Sequence, residues 1–226
     1  MQRNSTIRDR VYARLRQWIL TGKLTPGASL VASQLTGPVR ASRTPVREAL
    51  QQLVSDGLVR ETSTGLVVKE LTEEDVLELY EVRIPLEAAT ARLAAANMSP
   101  LALSQIEAWH EKLAEEAQKP EPDARWFAAG NLEFHRAVCE AARNQFLREF
   151  MARIYDTMGR FIHSSFRRRE RLVEVVAEHG RLVATLAARD AAGAELCART
   201  HMERALQARL ALYREQHRAN IERTGR

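Results

Sequence analysis

The 226 residues suffice for one large domain or two modest ones; 45% apolar and 28% charged residues exclude general disorder. No run approaches the roughly eighteen uncharged apolar residues of a membrane-spanning helix, no apolar secretory core follows the first methionine, and two cysteines make no disulfide framework. The net charge of +5 is unevenly placed: residues 1–70 hold 11 Lys and Arg against 5 Asp and Glu, whereas residues 71–226 hold 23 against 24. An excess confined to the first third suits a nucleic-acid-binding module joined to a neutral partner domain, in a mostly helical cytoplasmic protein that enters no membrane.

In chain order, Val11, Leu15, Trp18 and Ile19 predict a first helix over 6–21, broken by Gly22 and Pro26-Gly27. A short second helix is expected over 29–36, stopped by Gly37-Pro38. Ser42 is placed to cap a third over 43–56, with Pro45 in its first turn, Val46, Ala49, Leu50 and Leu53 inward, and Gly57 at its end. Residues 58–61 and 66–69, flanking Thr62–Gly65, read as two short strands. Three helices and a small hairpin make a winged helix-turn-helix, the DNA-binding domain expected over 1–70. From Thr72, whose following acids resemble a capping box, helices are expected over 72–97, 99–118, 123–142, 144–166, 168–189 and 191–218. They form an all-α six-helix bundle over 71–226.

The sharpest motif is Ser42-Arg43-Thr44-Pro45-Val46-Arg47-Glu48-Ala49-Leu50. Arg43 and Arg47 are four apart at the start of a capped helix and share one face, where guanidinium groups can bond guanine O6 and N7 in the major groove. With Leu24-Thr25-Pro26-Gly27 before it and Asp56-Gly57-Leu58-Val59 and Gly65 after it, the segment resembles the GntR family of bacterial transcription regulators. The resemblance implies that Arg43 and Arg47 read bases or phosphates, that Thr44 touches a phosphate and that Gly65 is the wing tip. The chain departs from the pattern before the recognition helix, where a glycine is common and Arg40 stands instead. The turn there is expected to be built differently, with Arg40 adding a phosphate contact or facing solvent.

The remainder resembles the FCD domain of FadR-like members, through Glu81-Val82-Arg83 with Leu86-Glu87, Asn131 with Phe134-His135, Glu178-His179, and His201. That resemblance implies a divalent metal (zinc, nickel or manganese) on Asn131, His135, His179 and His201. Asn131 and His135 are one turn apart, the other two lie on later helices, and imidazoles suit such ions. Asn131 stands where an aspartate is common, which removes a negative charge from the ligand set. Two alternatives stay open: three satisfied core histidines, or a Cys₂His₂ site using Cys139 and Cys197, each one turn from a histidine.

Arg83 falls on the inward stripe of its helix and needs a carboxylate, either an effector's or that of a neighbour such as Glu87. Arg160 and His163 are expected to line the same cavity. The sequence therefore reads as a homodimeric regulator of operator DNA, with the bundle sensing a small carboxylate effector. The alternatives are a regulator responsive to a fatty acyl thioester or lacking metal, and a metal-dependent enzyme with a DNA-binding domain. Against the enzyme, Glu133 points away from His135 around their helix.

Overall fold

The structure is a computed structural model that describes residues 6–69, 72–159, 165–166 and 168–224. The chain divides into two compact units, Met1–Glu70 and Leu71–Arg226.

In the first unit, α1 spans Ile7–Leu20, α2 Ala32–Val39 and α3 Arg43–Ser55, followed by β1 (Val59–Thr62) and β2 (Gly65–Val68). A capping box of Thr6 and Asp9 starts α1, whose Val11, Leu15 and Ile19 point one turn apart into the core. Val46, Ala49, Leu50 and Leu53 of α3 meet them there, as their spacing predicts. Ser42 is the N-cap residue of α3, although its side chain makes no cap hydrogen bond. The strands pair antiparallel from Val59 opposite Val68 to Thr62 opposite Gly65.

The second helix departs from expectation at both ends. Residues 28–30 lie along β2 because their backbone bonds go there: Val68 N–H donates to Ala28 O at 3.0 Å and Leu30 N–H to Leu66 O at 2.8 Å. The helix therefore starts at Ala32, then runs through Gly37 and Pro38 to Val39. Pro38 sits in the last turn, and burial of Leu35 and Val39, one turn apart, holds that turn helical. Arg40 ends it in the left-handed conformation, φ 55° and ψ 51°. The turn is thus not rebuilt to avoid glycine; Arg40 adopts the conformation that favours glycine.

The second unit is all helical: α4 (Glu73–Asn97), α5 (Pro100–Gln118), α6 (Ala124–Ala141), α7 (Gln145–Gly159), α8 (Arg169–Ala187) and α9 (Ala191–Thr224). The capping box at Thr72 forms with Asp75, and α4 continues unbroken through Pro85. α4 and α9 make the most extensive helix pair. Small buried residues on both (Ala88, Ala91, Ala94 and Ala95; Ala194 and Ala198) suit a close approach. Buried Glu116 fastens the α5–α6 connection, accepting from Asp123 N–H at 2.7 Å and Lys119 Nζ at 2.5 Å. α6, α8 and α9 each place one histidine of the buried site described next, and α4 adds Arg83 and Glu87.

Candidate nucleic-acid interface and metal centre

Arg43, Thr44 and Arg47 are all exposed on α3 while the opposite side of that helix is buried. Neither arginine, nor exposed Arg40, has a carboxylate partner among the described residues. The guanidinium groups are thus unspent. Gly65 is exposed at the start of β2 with φ 126°, a conformation L side chains rarely adopt, so the tight wing turn asks for glycine there. A groove runs between α3 and the hairpin, with Arg47, Gln51, Thr62, Thr64 and Gly65 on its walls. Sequence reasoning missed Gln51, though it continues the Arg43–Arg47 face by one more turn and is also exposed.

In the second unit, α6, α8 and α9 bring His135, His179 and His201 together, all buried, with their ligand nitrogens within 4.8 Å of one another. Nε2 of His201 lies 3.3 Å from Nε2 of His179 and 3.4 Å from Nε2 of His135. Phe134 stacks on the His179 ring at 3.9 Å between centroids, which fixes that ring's plane. Gly180, beside His179, lets α5 come close: a Cβ there would meet the His110 ring at 3.4 Å.

Two glutamates orient two of the rings. Glu178 Oε2 is 2.5 Å from His201 Nδ1, and Glu87 Oε2 is 3.5 Å from His135 Nδ1. Each carboxylate favours the proton on Nδ1 and leaves a lone pair on Nε2. The Nε2 lone pairs of His135 and His201 then face one another, an arrangement that a cation between them relieves. A tetrahedral ion with bonds of about 2.0–2.1 Å separates its nitrogen ligands by about 3.3–3.4 Å, close to what is observed. Asn131 lines the same cavity, and its buried Oδ1 has no hydrogen-bond partner. The donor set therefore fits a divalent ion on four neutral ligands. Among the described residues the metal-capable group contains neither Cys139 nor Cys197, so the Cys₂His₂ alternative is not assembled.

Burial disfavours the charged form of two of the imidazoles. It pushes His179 well below the usual histidine range, with His201 and His135 adding to the effect. Burial likewise brings His201 down to about 4 against the upward pull of Glu178. For Glu87, burial pushes upward, but His135 and then Arg83 outweigh it and hold the carboxyl at about 2.

Arg83 is 1% exposed, and its Nε donates to Glu87 Oε1 at 3.2 Å while Nη1 donates to Tyr80 Oη at 3.2 Å. Tyr155 Oη donates to Glu87 Oε2 at 3.3 Å and to His135 O at 3.2 Å. Of the two carboxylate partners open to Arg83, the structure shows Glu87, and the guanidinium also lines the cavity. Arg171 of α8 mirrors it, 3.4 Å from Glu178 and on the same cavity wall. The sequence offered a signal for Arg171, which lies seven residues before Glu178 and so on the same helical face, but the basic cluster 167–171 concealed it. Arg160 and His163 lie outside the described residues. Glu133 is exposed and pairs with Arg136 at 3.5 Å.

Residues 78–204 match the FCD domain family, and residues 7–68 match the bacterial regulatory proteins of the gntR family. The HTH-type transcriptional repressor GlaR of Escherichia coli (strain K12) is 30% identical over 206 residues, covering 84% of this chain and 90% of the relative. The probable D-xylose utilization operon transcriptional repressor of Paenarthrobacter nicotinovorans is 34% identical over 141 residues, 62% of this chain; the match spans only 59% of that relative. The solved structure of E. coli McbR/YncC superposes with a TM-score of 0.76 at 26% identity, covering 93% of this chain and 99% of that one.

Proposed function

The chain belongs to the GntR family of DNA-binding transcriptional regulators and carries an FCD domain; from that premise we propose that its bundle is a metal-dependent sensor of a small organic acid. Asn131, His135, His179 and His201 would hold a divalent ion of the zinc, nickel or manganese kind, whose shell would expand beyond these four ligands to take a carboxylate. Arg83 meets the other end of that ligand. Two copies of the chain present Arg43 and Arg47 to the two halves of an operator, Thr44 and Arg40 hold phosphates, and Gly65 leads the wing toward the minor groove.

One observation carries the reading: three buried imidazoles converge beside an orphaned buried amide oxygen. Core histidines without an ion leave that oxygen unsatisfied, at a cost of about 1–3 kcal/mol. The cavity encloses about 30 Å³, room for an ion with one or two waters and far too little for an acyl chain. A larger effector must widen it. Such a ligand changes operator affinity only by binding two arrangements of the bundle unequally.

The test is metal content after loading and dialysis, followed by anisotropy titration of operator DNA recovered by selection. The expected result is one ion per chain, lost in His179→Ala, and an operator affinity that responds to small organic acids only when metal is bound. A wild type that takes up no ion yet responds fully to its ligand overturns the reading.

A further inference from the structure

Two parallel series converge on the cavity: Arg83–Glu87–His135 from α4 to α6, and Arg171–Glu178–His201 from α8 to α9. In each, one buried carboxylate serves both an arginine on the cavity wall and a histidine of the metal set. Glu87 offsets Arg83, while Arg171 is met by Glu178 and, more closely, by Glu174 at 3.0 Å. With Arg204 also on Glu178, at 3.4 Å, two arginines there face two carboxylates and none is left over to balance an ion.

The ligand set is neutral, because Asn131 brings an amide and an imidazole binds a metal as the neutral ring. A divalent ion placed there keeps its full two positive charges in a buried, low-dielectric pocket, where unbalanced charge is costly. An aspartate at position 131 would remove one of those charges. With asparagine, a monocarboxylate leaves one charge unmet, and a ligand with two carboxylates meets both. Arg83 and Arg171, from different helices, supply a separate docking point for each end. The small cavity further favours a short spacer between the two.

We propose that the cavity is selective for compact dicarboxylates over monocarboxylates, with Asn131 setting the charge preference and Arg171 acting beside Arg83 as the second anchor. The inference rests on the metal reading above, and its test separates the two. Full-length protein loaded with Ni²⁺ is titrated calorimetrically with acetate, malonate, succinate and inorganic phosphate at constant ionic strength, with metal content measured before and after. Malonate is expected to bind at least about tenfold more tightly than acetate, and the malonate-to-acetate ratio to fall about tenfold in Asn131→Asp. That change is nearly isosteric, so the fold survives it. Arg171→Gln should weaken malonate more than acetate while the ion stays bound.

A wild type that retains no nickel brings down the metal reading and this inference with it. Retained nickel with acetate and malonate bound equally, or a ratio unchanged in Asn131→Asp, overturns the charge argument alone. Phosphate, which carries its charge on one centre, should bind more weakly than malonate; equal binding overturns the two-arginine docking.

Discussion

Arginine does opposite jobs in the two units. Arg43 and Arg47 stand exposed on α3 with no carboxylate near them among the described residues, whereas Arg83 and Arg171 lie against buried glutamates. The exposed pair is hydrated and unspent, so its energy is realised only when phosphate or base edges arrive. Arg83, buried, and Arg171, partly buried, are already met by carboxylates, so an anion reaching them would compete with Glu87, Glu174 and Glu178. The exposed surface is built for affinity that salt can screen.

The largest test breaks the buried pair. Glu87→Ala strips Arg83 of its carboxylate and removes the acceptor for Tyr155, leaving an uncompensated charge in the core. Urea unfolding of metal-free protein should show a loss of about 3–5 kcal/mol. Glu48→Ala, on the exposed face of α3, should stay within about 0.5 kcal/mol of the wild type. Replacing both partners, Arg83→Met with Glu87→Leu, should recover part of the loss, because apolar groups of similar volume need no partner. Equal, small effects of Glu87→Ala and Glu48→Ala would erase the contrast between the two units.

Next in size is the exposed pair. Arg47→Ala should cost about 1–3 kcal/mol of specific operator binding and relax preference at one base pair per half-site, with stability unchanged. Arg43→Ala should do the same at another position. Thr44→Val should weaken every sequence alike, as a lost phosphate contact does. The check is a binding titration against a panel of singly substituted operators; full operator preference in both arginine variants would sink the recognition-helix assignment.

The contrast between the units was itself partly legible in the sequence. α3 was readable because its signals agree: Ser42 before it, Pro45 in its first turn, four apolar residues at helical spacing and Gly57 after it. α2 was misplaced because its signals are local and misleading. Ser29 looks like a cap but its backbone lies along β2, and Gly37-Pro38 looks like a stop but Val39 is needed in the core. In the bundle, the spacing of Asn131 and His135 put them on one face. The convergence of three Nε2 atoms depends instead on how α6, α8 and α9 pack, which no local pattern encodes. Charge clusters conceal burial for the same reason: Arg171 sits among exposed arginines in sequence, and only the fold turns it inward.

The smallest expected effect concerns Arg40, where the two roles of arginine meet. Its φ of 55° is a conformation that costs a residue with a Cβ about 1–2 kcal/mol. Glycine removes that strain but adds freedom to the unfolded chain, which returns part of the gain. Arg40→Gly should therefore stabilise the protein modestly, by about 0.5–1 kcal/mol in urea unfolding. A side chain retained at that cost suggests a use for its charge. Exposed and unpaired, Arg40 precedes the helix that carries Arg43 and Arg47. If it neutralises a phosphate, Arg40→Gly should lower the slope of log affinity against log salt by about 0.9 per subunit while leaving sequence preference untouched. A variant that is more stable yet keeps the full salt slope would show that Arg40 faces solvent, and that its conformation serves the turn alone.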